Sequence, residues 1–104
     1  MQLRADMVPS MSEVSRPRPH APMGRRLRQI RDAHGLSQAS FAGRIAVKQH
    51  TYNGWETGAR QPNIDNALRI REEFGITLDF IFAGDHTGLD LRLWDAIRHN
   101  RRLK

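Results

Sequence analysis

Residues 38–62 read QASFAGRIAVKQHTYNGWETGARQP, and their apolar positions fall where two short helices joined by a tight turn need them. Phe41, Ala42 and Ile45 recur at helical spacing, Val47 follows the turn, and Tyr52 and Trp55 resume the period three residues apart. The pattern predicts one helix that ends at a turn on Ala46 and a second from Gln49 to Glu56. Ser37 stands where the first helix needs a side-chain oxygen to cap it.

Upstream, Leu27 and Ile30 make an apolar stripe, with Arg25, Arg26 and Arg28 off it. Pro22 is tolerated in a first helical turn and Gly35 suits a left-handed cap, so a helix is expected over residues 23–34. Downstream, residues 58–62 form a loop. Ile64, Ala67, Ile70 and Phe74 then define a helix closed by Gly75, and a short helix follows over residues 77–82 with Thr77 as its cap. Strand signals are absent, which makes the expected class all-α.

The chain has 104 residues, enough for one small domain plus extensions. With 17 Lys and Arg against 11 Asp and Glu, its net charge of +6 favours polyanionic partners, nucleic acid first and an anionic membrane surface second. The absence of cysteine excludes disulfides, thiolate zinc sites and Cys nucleophiles, and fits a reducing cytosol. Its longest apolar run, Phe80 to Ala83, is far short of a membrane span or a signal-peptide core, so a cytoplasmic chain with no membrane partner is expected. There is no glycine-rich phosphate loop and no His-Glu-x-x-His pair, and the five histidines are scattered without metal-ligand spacing. No enzyme activity, cofactor or metal site is expected.

Both ends differ from the middle. Pro9, Pro17, Pro19 and Pro22 interrupt any helix in residues 1–22, which are expected to form a disordered arm. That arm is either a leader, with Met7, Met11 or Met23 as a later start, or an extension that brings Arg16 and Arg18 to a minor groove. In residues 85–104, Leu89, Leu93 and Ile97 recur every four positions with Trp94 beside them and arginines off the stripe. This amphipathic helix has too much apolar surface for water. It packs on its own domain, forms a dimer interface through Leu89, Leu93, Trp94 and Ile97, or serves another partner.

The segments LRQIRDAHGLSQ, FAGRIAV, WETGARQP and ITLDFIF together resemble the Cro/CI-type helix-turn-helix family, also called the xenobiotic-response-element family, of phage repressors and small bacterial regulators. The resemblance runs from Leu27 to Ala83. It implies a five-helix, lambda-repressor-like domain over residues 23–84, to which the C-terminal helix is an addition.

The resemblance also implies roles. The helix that begins at Gln49 becomes the recognition helix in the major groove of double-stranded DNA, where Gln49 pairs with a base edge and His50, Thr51 and Asn53 share its exposed face. Gln38 is expected to touch a phosphate and brace Gln49, while Lys48 and Arg60 hold phosphates and Arg31 pairs with Glu56. A homodimeric repressor on a palindromic operator follows as the main expectation. The rival is an antitoxin that binds a toxin through Leu93 and Trp94 and autoregulates its operon.

Four positions depart from the family pattern. Ala46 replaces a turn glycine, Lys48 replaces a small hydroxyl cap, Gly54 removes a long polar side chain from the recognition helix, and Arg71 stands where a small residue is usual.

Overall fold

The computed structural model describes residues 18–103. They form six helices, which we label α1 (Ala21–Ala33), α2 (Gln38–Arg44), α3 (Gln49–Glu56), α4 (Ile64–Phe74), α5 (Leu78–Ala83) and α6 (Leu91–Arg98). Among the described residues there is no strand, and no helix is long and apolar enough to cross a membrane.

Short polar side chains start most of the helices. Ser37 accepts a hydrogen bond from the Ser40 N–H, Asn63 from Asn66, Thr77 from Phe80, and Asp90 from both Arg92 and Leu93. Helix α1 has no side-chain cap and relies on Pro22 in its first turn. It begins slightly upstream of the expected boundary: Arg18 C=O accepts from Ala21 N–H at 3.1 Å, and His20 N–H donates to Gly58 C=O at 3.1 Å. Order therefore extends into the segment expected to be an arm. Arg16 and the possible starts Met7 and Met11 lie outside the described residues.

Three helices end in the same closure with three different residues. Gly35 follows α1, Ala46 follows α2 and Asn100 follows α6, each with positive φ. In each case the next N–H reaches back five residues: Leu36 to Arg31 C=O (3.2 Å), Val47 to Ala42 C=O (3.0 Å) and Arg101 to Ala96 C=O (2.8 Å). Ala46, at φ 58°, adopts the left-handed turn directly. The missing glycine costs on the order of 1 kcal/mol in backbone strain and leaves the two-helix geometry intact.

One apolar cluster joins all six helices. The Phe41 ring stacks on Phe74 with centroids 4.2 Å apart and planes 3° from parallel, and the Tyr52 ring lies 4.8 Å from Phe41, tilted by 35°. These rings fix α2, α3 and α4 relative to one another. Helix α1 crosses α3 at Gly24, where an added Cβ would stand 2.6 Å from Trp55 C=O and clash as well with Glu56 C=O. Only glycine permits that approach.

Helix α6 corrects one expectation. Leu89, Leu93 and Ile97, offered above as a dimer interface, are buried in the cluster at 7%, 5% and 2% exposure. The helix packs on its own domain. Its Leu93 cannot face a toxin, and of the four interface candidates only Trp94 remains half-exposed. Beyond it the tail returns to α1, where Leu103 N–H donates to Ala33 C=O at 2.7 Å. Arg26 makes a similar long-range tie, its Nε and one terminal nitrogen donating to Ile81 C=O at 3.1 and 2.9 Å, which fastens α5 to α1.

Candidate nucleic-acid interface

Helix α3 presents polar side chains outward because its apolar residues face the core. At about 100° per residue, Tyr52 and Trp55 define the inner side and both are buried. Gln49, Asn53 and His50 span the opposite side within about 100° of one another, and all three are exposed. Thr51 was expected on the same face. It is turned by about 200° from Gln49 and is half-buried, so the outward face has three members in place of four.

The base of this face is a network centred on Glu56. Arg31 Nε donates to Oε2 at 2.6 Å and a terminal nitrogen donates to Oε1 at 3.1 Å, a two-pronged pair between α1 and α3. A third Arg31 nitrogen donates to Leu36 C=O at 2.9 Å. Tyr52 O–H donates to Oε2, and Gln38 Nε2 donates to Oε1 at 3.1 Å. The two charged side chains are only 14% and 7% exposed.

Burial pushes the Glu56 carboxyl up, but hydrogen bonds from Arg31, Tyr52 and Gln38 and the guanidinium charge outweigh it and hold the group below the usual carboxylate range. Burial, reinforced by the bond to Glu56, pushes the Tyr52 phenol far above its ordinary value. The hydrogen bond to Glu56 leads the effects that raise the Arg31 guanidinium. The pair is therefore charged, and the phenol is a donor, across the whole neutral range.

Gln38 does something other than expected. Its amide nitrogen donates to Asn53 Oδ1 at 3.1 Å as well as to Glu56, so it braces Asn53, not Gln49. With its oxygen engaged by Gln38, the exposed Asn53 has its amide N–H groups to donate. At the start of α2, Ser37 already takes the Ser40 N–H, as expected of a cap.

Lys48 is exposed and makes no cap bond, so α3 starts with its first N–H groups free of any side-chain acceptor. At the other end of α3, the N–H groups of Ala59 and Arg60 both donate to Gly54 C=O at 3.1 Å. The loop folds back so that Arg60 Cδ lies 3.9 Å from the place of a Cβ on Gly54. The aliphatic stem of the exposed Arg60 thus lies beside the helix edge where the glycine leaves a gap. Arg71 makes no part of this face and pairs with its neighbour Glu72 at 3.1 Å.

Sequence reasoning missed the Tyr52 hydroxyl, which it read only as a core ring. A signal was present: a buried tyrosine needs a partner for its O–H, and Glu56 lies four residues on, one turn along the same side. The Arg60 position over Gly54 had no local signal.

Exposed amide and imidazole groups on a rigidly backed helix, flanked by Lys48 and Arg60, suit hydrogen bonding to base edges with phosphates on either side. Relatives agree in kind. The SPbeta prophage-derived HTH-type transcriptional regulator YonR of Bacillus subtilis is 28% identical over 68 residues, 65% of this chain and 63% of the relative. The HTH-type transcriptional regulator YobD of the same species is 30% identical over 56 residues, 54% of this chain and 50% of the relative. RamB of Mycobacterium tuberculosis, also an HTH-type transcriptional regulator, is 34% identical over 67 residues, 64% of this chain and 14% of the relative. The chain thus spans less than two thirds of the length of these relatives. No solved structure matches it. A helix-turn-helix family model matches residues 27–81, the span that carries α2, the Ala46 turn and α3, and on that match over more than half its length the chain belongs to the Cro/CI-type helix-turn-helix family.

Proposed function

We propose that the chain is a sequence-specific DNA-binding transcriptional regulator that acts as a dimeric repressor at a palindromic operator. The observation that carries this reading is the outward face of α3, in which Gln49, His50 and Asn53 stand on a helix fixed from behind by Glu56 and Arg31. A helix fits the major groove, and the N-terminal residues of such a helix reach base edges. Gln49 pairs with adenine, Asn53 offers amide N–H groups to acceptors, and Lys48 and Arg60 hold phosphates.

Dimerisation follows from information content. One helix reads only a few base pairs, whereas two copies on half-sites about 34 to 36 Å apart read twice as many. Since α6 and the turn before it bury Leu89, Leu93 and Ile97, the contact between copies draws on other side chains. Ile64 at the first turn of α4 is 60% exposed and directly follows the loop that carries Arg60. A bound dimer represses by occupying promoter DNA, with no further surface required.

The test is selection of bound sites from random duplex DNA at a stated salt concentration, because phosphate contacts make affinity steeply salt-dependent. The expected product is an inverted repeat bound by two copies. A single unrepeated site bound by one copy overturns the dimer, and no enriched sequence overturns specificity.

A further inference from the structure

The outer side of α6 leaves apolar surface uncovered, all of Leu91 and the outer part of Trp94, beside charged residues. Leu93, Ala96 and Ile97 point inward, but Leu91, Trp94, Asp95 and Arg98 follow one another at the spacing of a single helical face on the other side. Leu91 is 81% exposed, the most exposed large apolar side chain among the described residues. The returning tail raises a wall beside this surface. Its Leu103, Arg101 and Arg102 turn the face into an open groove of about 690 Å³. The groove shares no residue with the α3 face.

Two properties of the groove select its occupant. The first is a fixed aromatic anchor. Trp94 is stacked on His86 with centroids 4.0 Å apart and planes 2° from parallel, and it meets Phe80 edge-on at 6.1 Å. A ring held in this way presents apolar area with little rotamer entropy left to lose.

The second property is charge. Arg98, Arg101 and Arg102 line the groove beside a single acid, Asp95, which already bonds Arg101 at 3.1 Å and His99 at 3.0 Å. The rim is positive even after that pairing. A second copy brings the same arginines and meets like charge, which disfavours a two-fold contact here. A phosphate backbone gains nothing from Leu91 or Leu103.

We propose that the groove is a docking site for an acidic amphipathic segment of another protein, with apolar side chains seated on Leu91 and Trp94 and carboxylates meeting Arg98, Arg101 and Arg102. Such a site gives the chain a partner without displacing anything on α3, and it stands whether or not the α3 face reads DNA.

The probe is a synthetic 18-residue helical peptide of leucine and glutamate, titrated into the isotope-labelled full chain and followed by backbone amide shifts. The expected shifts map to residues 91–103. Leu91→Ala should weaken binding about tenfold, as befits the loss of one apolar anchor at an interface centre. Arg98→Glu combined with Arg102→Glu should abolish the glutamate peptide and create binding of the matching lysine peptide. These positions are exposed, so the variants keep the fold, and an unchanged melting temperature verifies that. The proposal fails if no shifts arise at millimolar peptide, if a scrambled peptide of equal charge binds as well, if a DNA oligonucleotide moves the same amides, or if sedimentation shows a second copy in the groove.

Discussion

Arg31 and Glu56 lie 25 positions apart and meet through two parallel hydrogen bonds, the shorter at 2.6 Å, with neither side chain more than 14% exposed. The pair fixes the angle between α1 and α3, and it sets a large penalty for losing one partner. Glu56→Gln leaves a guanidinium largely buried without its counter-charge and should cost about 3 kcal/mol of stability. Chemical unfolding gives that number, and titration of a selected operator should show weaker binding in the same variant. If both stay unchanged, the pair is not what orients α3.

Acid and alkali should probe the same network from opposite sides. The folded-state value of Glu56 is depressed, so its contribution is complete above the ordinary glutamate range near about 4.3 and is lost as pH falls below that range. Tyr52 is raised, so its contribution is complete below about 10 and is lost above it. Denaturant midpoints measured from pH 3 to 11 should therefore fall at both ends. The gap between wild type and Glu56→Gln should narrow on the acid side.

Two glycines in neighbouring helices should respond in opposite directions. Gly24→Ala drives a methyl into the backbone at the end of α3 and should cost about 1 to 3 kcal/mol. Gly43, in α2, has nothing within 4 Å of an added Cβ, so Gly43→Ala should gain up to about 1 kcal/mol from helix propensity alone. Thermal melts of the two variants decide the matter. A stable Gly24→Ala chain would mean that α1 and α3 lie farther apart.

At the turn, Ala46→Gly should raise stability by about 1 kcal/mol, because φ at this residue is 58° and glycine adopts it without the Cβ conflict. The same measurement applies, with Asn100→Gly as a companion at φ 57°.

Base and phosphate contacts separate by how they fail. Gln49→Ala should cost about 1 to 3 kcal/mol on the preferred operator and relax preference at one base pair. Lys48→Ala and Arg60→Ala should weaken all sequences alike and each flatten the dependence of log affinity on log salt by about 1. A sequence-dependent loss on Arg60→Ala would instead assign its guanidinium to a base and not to the backbone.

Local signals made most of the fold legible. Ser37 and Thr77 each cap a helix with their own side chain, Gly35 and Gly75 each end one, and the periodic apolar residues mark the faces that become buried, so α1 to α5 could be drawn from short windows of sequence. The amphipathic pattern of α6 was equally clear, but a pattern says that a face must be covered without naming the cover. Only the closed fold sets Leu93 and Ile97 against the domain and leaves Leu91 outside. In the same way, Gln38 is polar in any reading, but its choice of Asn53 over Gln49 depends on how two helices sit, which no residue type encodes.

The Glu56 carboxylate accepts from Arg31 on α1, Gln38 on α2 and Tyr52 on α3, so three helices share one acceptor group. None of them can open locally without stripping partners from the others and from a nearly dry anion. The outward face of α3 therefore should not fray as a separate unit. Its protection against amide exchange should equal that of the core, and the helix proposed to read DNA should be among the last parts of the chain to come apart.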